Sequence, residues 1–171
     1  VSSESKLPRK TLAHIADLAY SEVEDAARMS NSKLMKERIR RVTVLFKELG
    51  YELFDEENQD GSYSSGFSSS TGFQGAFFIV REQKFLEMAF NFTFSPEFDP
   101  FIRERLPELL EICFEYGCYT NMFTDDNAIS ISLFSKIYFS GLNYGSLRDT
   151  LADFHDCVEA VKELVSLKHS N

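Results

Sequence analysis

The chain has 171 residues, 43% of them hydrophobic and 14% aromatic, enough for one filled core and short for two. Its 18 basic side chains against 27 acidic ones leave a net charge of −9, which argues against a whole-body attraction to nucleic acid or to an anionic membrane. The apolar run "AFFIV" at 76–80 falls far below the roughly 18 to 20 residues that span a bilayer, so no membrane insertion is expected.

The first ten residues, "VSSESKLPRK", hold no hydrophobic signal core, but they begin at valine, so an upstream segment is expected to have been removed. Three cysteines are too few and too odd in number for a disulfide framework and point to a reducing cytoplasm. Residues 11–29 carry Leu12, Ile15, Ala19, Val23 and Ala26 at spacings of three and four, the pattern of an amphipathic helix. "SNS" at 30–32 is expected to break it, and Ser32 to cap a second helix. That helix has the stripe Met35, Ile39, Val42, Phe46 and Leu49 and stops at Gly50. "YELFDEE" at 51–57 reads as a weak strand.

Residues 61–72, "GSYSSGFSSSTG", are uncharged and almost free of aliphatic side chains. No lysine follows the glycines, so the stretch is no phosphate-binding loop. It reads as a flexible Ser/Gly-rich connection over 58–72, with Tyr63 and Phe67 its only apolar anchors and with shortening tolerated. A partner-binding loop ordered on contact and a phosphorylated regulatory site are the competing readings.

"FQGAFFIV" at 73–80 is apolar on both faces. In "KFLEMAFNFTF" the residues Leu86, Met88, Phe90, Phe92 and Phe94 share one face, so the two segments form a hairpin across "REQK". A helix follows over 101–116, either kinked at Pro107 or regular only from there. A second hairpin joins "YTNMF" at 119–123 through "TDDN" to "AISISLFSKIYF", which places Ile129, Ile131, Leu133 and Ile137 on one face and Phe134, Lys136 and Tyr138 on the other. The last helix reads as a Ser146–Asp149 capping box with the stripe Leu147, Leu151, Phe154, Val158, Val161 and Val165, and with Lys168 and His169 at its C-terminal end. The order α-α-β-β-β-α-β-β-α predicts a single α+β domain, a two-layer sandwich with an antiparallel sheet and helices on one face.

From "KLMKERIRRVTVLFKELG" to "SLRDTLADFHDCVEAVKELV" the order α-β-β-β-α-β-β-α resembles the secretion-chaperone-like fold, shared by class I type III secretion chaperones and the bacterial YbjN family. The resemblance covers 32–167, with the helix at 11–29 as an addition. It implies a protein-binding dimer whose exposed apolar patches hold a partner chain, and it brings no catalytic motif.

"CFEYGC" puts Cys113 and Cys118 five apart, neither a C-x-x-C redox pair nor a zinc-ribbon spacing, and His155 and Cys157 lie about 200° apart around a helix. Cys113 and Cys157 are therefore expected as small buried hydrophobes, His14 and His169 as solvated. Asp125 with Asp126, and Asp55 with Glu56 and Glu57, read as solvated acids, because no calcium-loop spacing surrounds them. Residues 33–47 are locally basic and read as a solvated helix face, paired with the acidic last helix of the same or a neighbouring chain; the face, with Arg40 and Arg41, is also a docking site for an acidic partner.

No cofactor, metal or catalytic residue is expected. A non-enzymatic binding module is favoured, dimeric through an apolar sheet face formed by Ala76, Phe78, Val80, Phe134 and Tyr138. A small-molecule sensor, or an enzyme with an unrecognised pocket, is the alternative.

Overall fold

The computed structural model describes residues 9–166, with side chains for 15–29 and 31–166. The His14 side chain and the expected C-terminal pair Lys168 and His169 lie outside the described residues. The elements are α1 (Arg9–Glu48), β1 (Glu52–Gln59), β2 (Ser62–Ser68), β3 (Gln74–Val80), β4 (Phe85–Phe94), α2 (Asp99–Glu115), β5 (Tyr119–Thr124), β6 (Ile129–Tyr138) and α3 (Tyr144–Val165). All six strands join one antiparallel sheet in the order β1-β2-β3-β4-β6-β5. The C-terminal part of α1 and the helices α2 and α3 pack on one face, giving the α+β two-layer sandwich.

The chain divides into two units, Val1–Glu37 and Arg38–Asn171. The expected break at residues 30–32 is absent, and Ser32 caps nothing: α1 is one helix of 40 residues. No glycine or proline occurs between Lys10 and Leu49, and serine or asparagine costs a helix at most about 0.7 kcal/mol each, too little to stop it. In the N-terminal unit Ile15, Leu18, Val23 and Met29 are all exposed.

Gly50 ends α1 as expected, at a φ of 85°. The amide of Tyr51 donates to the Phe46 carbonyl and that of Gly50 to Lys47, both at 3.0 Å, the bond pair of a Schellman motif. The motif's customary apolar contact is Phe46 against Tyr51, edge to face at 5.7 Å. Phe46 then stacks on Phe77 at 4.6 Å and touches Phe67 at 5.1 Å, fastening the helix to the sheet.

The serine-rich stretch is the main correction. Residues 62–68 are strand β2, paired on one side with β1 and on the other with β3, and not a flexible loop. Its outline alternates, with Tyr63, Ser65 and Phe67 buried and the residues between them half-buried. Double pairing satisfies the strand's backbone on both sides, and two aromatic rings supply apolar area that its composition hides. The Ser65 hydroxyl reaches the carbonyls of Gly66 (2.9 Å) and Phe54 (3.2 Å), so its burial leaves no orphaned donor. What remains of the connection is the turn at residues 69–73, where Ser69 and Phe73 bond through their backbones and Gly72 takes a φ of 90°. The sheet thus has six strands where five were expected.

Helix α2 runs unbroken through Pro107, which is exposed, so the regular part begins at Asp99 and not at the proline. Arg103 Nε bonds Asp99 Oδ2 at 2.7 Å across its first turn. Helix α3 is capped one turn earlier than the Ser146–Asp149 pair implied. Asn143 accepts from the Ser146 amide, and the Ser146 hydroxyl accepts from the Asn143 amide, each at 2.9 Å.

Candidate binding face

On the sheet face opposite the helices, side chains emerge from alternate positions of every strand. The registers align Phe54, Gly66, Ala76, Ala89, Phe134 and Tyr119 in one row across all six strands. The centre of the row is small and its ends are aromatic. Phe54 lies flat over Gly66, where a Cβ would come within 2.4 Å of its ring. At the other end Tyr119 stacks on Phe134 at 5.2 Å. A shallow hollow lies between, bordered by Phe54, Ala76, Ala89 and Asn91.

The adjacent row sets Phe78, Glu87 and Lys136 side by side. The ammonium of Lys136 sits 5.2 Å from the Phe85 ring centre and 5.6 Å from that of Tyr138, an arrangement that favours a cation over aromatic faces. The Tyr119 hydroxyl donates to Glu87. Burial, then that bond and the carboxylate charge, push the Tyr119 phenol above its ordinary range. Glu87 and Lys136, at the centre of the face, are therefore engaged within it, while Glu52 and Glu57 lie along its β1 edge and Asn91 borders the hollow. Phe54, Phe78, Phe123 and Tyr138 are exposed by 41%, 36%, 62% and 51%, a concentration of aromatic surface that soluble faces rarely carry without a partner.

The two edges of the sheet differ. Strand β1 is acidic and carries a bulge between Phe54 and Glu57, with Asp55 at a φ of 50°, features that blunt an edge against pairing. Strand β5, "YTNMFT", is uncharged and regular, and among the described residues no strand pairs with its outer edge.

Of the residues expected to bind a partner, Phe78, Phe134 and Tyr138 share this face. Tyr63 and Phe67 do not. They point to the helices, 6% and 0% exposed, because β2 is a strand and alternation sends its aromatic side chains inward. The Tyr63 hydroxyl donates to Glu56 Oε1 at 2.5 Å, and burial, then this bond and its charge, raise the phenol above its ordinary range. Arg40 is exposed on α1. Arg41 clamps the fold, donating to the carbonyls of Leu142 and Phe139, and Arg38 does the same to Gln83 at 3.0 Å and Arg81 at 3.3 Å. The basic segment thus serves the body's own carbonyls at Arg38 and Arg41. Lys136 lies on the face with Phe134 and Tyr138 as the β6 alternation implies, whereas Phe54, Phe85, Tyr119 and Phe123 join it through the outward phase of their own strands.

The Asp125 carboxylate accepts from the amides of Asn127 (2.7 Å) and Ala128 (2.8 Å), a turn-forming role. His155 stacks on Phe73 at 4.4 Å and lies 3.7 Å from Glu159 one turn along α3. Among the described residues no group of three His, Cys, Asp or Glu side chains is arranged to hold a metal ion, and no helix is long and apolar enough to cross a membrane.

The fold and its uncovered aromatic face define an α+β sheet-and-helix sandwich. No protein-family model matches the chain, and no curated protein does. Among solved structures it is similar to an uncharacterized protein from Methanothermobacter thermautotrophicus, with a TM-score of 0.53 and 14% identity over 73% of this chain and 96% of that one. At that identity the likeness concerns the fold.

Proposed function

We propose that this chain is a non-enzymatic protein-binding module, chaperone-like or adaptor-like, which works in the cytoplasm as a homodimer through the open aromatic face of its sheet. The observation that carries the reading is the exposure of Phe54, Phe78, Phe123 and Tyr138 on one face whose central charges, Glu87 and Lys136, are already engaged. The resemblance to the secretion-chaperone-like fold supports the same reading, with one strand more before α2 than that order implied.

Fully burying an aromatic side chain contributes about 1.5 to 3 kcal/mol, and these four start partly buried. Association costs at least about 4 kcal/mol in lost freedom, so the face sustains a dimer only if most of it is covered at once. Two bodies of net charge −9 also repel each other. Salt screens that repulsion within about 8 Å at physiological strength and leaves apolar contact intact, so dimerisation strengthens as salt rises. The same charge selects basic or amphipathic partner segments.

Light scattering over a wide concentration range tests the reading. It expects twice the monomer mass of 19.6 kDa, and a return to that mass in the double substitution Phe78→Glu, Tyr138→Glu with the circular dichroism unchanged. A monomer at every concentration and salt level sinks the proposal.

A further inference from the structure

Helix α2 ends in the same way as α1. The Gly117 amide donates to the Phe114 carbonyl at 3.3 Å and the Cys118 amide to the Cys113 carbonyl at 2.8 Å, with Gly117 at a φ of 66°. This is again a Schellman motif, and its customary side-chain contact, between the first residue past the turn and the residue five before it, here falls between two cysteines. The third cysteine arrives from α3, which packs on α2. The Cys157 thiol interacts directly with both Cys113 and Cys118. Cys113 and Cys157 are buried, and Cys118 is only half-buried, so the group is open to solvent at one end.

We infer that Cys118 and Cys157 form a peroxide-responsive dithiol, with Cys118 the sulfur that is oxidised and Cys157 the thiol that resolves it into a disulfide joining the end of α2 to α3. The roles follow from the chemistry of the cluster. Cys118 alone of the three reaches solvent, so it is the thiol that peroxide meets. Its interactions with Cys157 and then with Ser135 also hold its thiol below the ordinary range despite burial, which favours the nucleophilic thiolate. Its interaction with Cys113 pulls the Cys157 thiol down, and its interaction with Cys118 together with burial outweighs this, lifting it to about 12. Cys113 is raised further, by its bond to Cys157 and then by burial. The thiol at the open end is therefore the one most readily deprotonated, and the two buried ones keep their protons.

The steps balance. The Cys118 thiolate attacks one oxygen of hydrogen peroxide, the O–O bond breaks, hydroxide leaves, and the sulfur becomes a sulfenic acid. The Cys157 sulfur then attacks that sulfur, a disulfide forms, and the Cys157 proton leaves with the displaced hydroxyl as water. One peroxide is reduced by two electrons and two thiols are oxidised.

The test uses the full chain, treated with stoichiometric hydrogen peroxide, alkylated and mapped by mass spectrometry. Free thiols should fall from three to one, with a Cys118–Cys157 peptide pair lighter by two hydrogens. Cys157→Ala should trap a sulfenic acid at Cys118 that reacts with dimedone. Cys118→Ser should leave the other two thiols reduced, while Cys113→Ala should still form the bond. Thiolate absorbance near 240 nm should titrate below the ordinary thiol value in the wild type and vanish from that range in Cys118→Ser. Three free thiols after treatment, or a pair other than Cys118–Cys157 in the wild type, overturns the assignment whether or not a given variant folds.

Discussion

Phe67→Ala decides whether residues 62–68 are a strand of the core or slack between strands. The Phe67 side chain is fully buried and meets three rings, Phe46 at 5.1 Å, Tyr51 at 5.6 Å and Phe73 at 5.7 Å, and its edge closes over Gly75. Truncating a buried phenylalanine costs about 3 to 5 kcal/mol, the lost transfer energy plus the cavity that the surrounding rings cannot refill. With an urea slope of about 2 kcal/mol per molar, the denaturation midpoint should fall by about 2 M. Urea titration followed by circular dichroism measures this directly. Phe67→Leu, which keeps most of the volume, should lose about a third as much, so the series stays readable if the alanine variant is too unstable to purify. Ser64→Ala, on the opposite phase of the same strand, should stay within about 0.5 kcal/mol. A Phe67→Ala loss under about 1 kcal/mol, or no difference between the two phases, would refute the strand and restore the flexible connection.

Two further outcomes test the packing and the titrating groups. Gly75→Ala should destabilise by about 1 to 3 kcal/mol, because the new Cβ lies 2.9 Å from the Ala89 backbone carbonyl, which cannot yield, as well as 2.7 Å from the Phe67 ring. Gly66→Ala meets only the exposed Phe54 ring, which can swing away, so its stability should change by less than about 1 kcal/mol; parallel denaturation curves in the reverse order contradict this. Tyr63 titrates above its ordinary value in the folded chain, so the neutral phenol is favoured by folding. That contribution is present below the unfolded value of about 10 and is lost as pH rises through the higher folded value. Tyr63→Phe should therefore flatten the loss of stability above about pH 10, and equal slopes for the two proteins would show that folding does not shift the phenol.

Where the sequence read true, one physical signal dominated. Apolar alternation in β4 and β6 and the 3.6-residue stripe of α3 need a single burial direction each, and the structure buries Leu86, Met88, Ile131, Leu133, Leu151 and Phe154 as that pattern requires. The misreadings came where composition and pattern disagreed. In β2 five serines and glycines outnumber two aromatic residues, yet Tyr63, Ser65 and Phe67 keep strict period two. Asp60-Gly61, with Gly61 at a φ of 83°, is the dipeptide that turns one strand directly into the next, and it lies inside the span 58–72 whose composition suggests a loop. At residues 30–32 the error ran the other way. Serine and asparagine there are weak helix formers without the steric veto of proline or glycine, so a helix already formed on both sides simply continues.

The functional surfaces were legible in proportion to how local they are. Phe134 and Tyr138 could be placed on the outward face from β6 alone, whereas Phe54 and Tyr119 join that row only through pairings that run across the whole sheet. The cysteines show a subtler limit. Spacing rules for redox and zinc motifs assume a loop or a helix turn between the thiols, and five residues satisfies neither. A helix that ends in a left-handed glycine obeys a different geometry, because the reversal at Gly117 carries Cys118 back over the last turn and its amide onto the Cys113 carbonyl. Read with that rule, "CFEYGC" at a helix C-terminus already predicts two neighbouring thiols. Only Cys157, 39 positions further along and delivered by the packing of α3 against α2, required the tertiary fold.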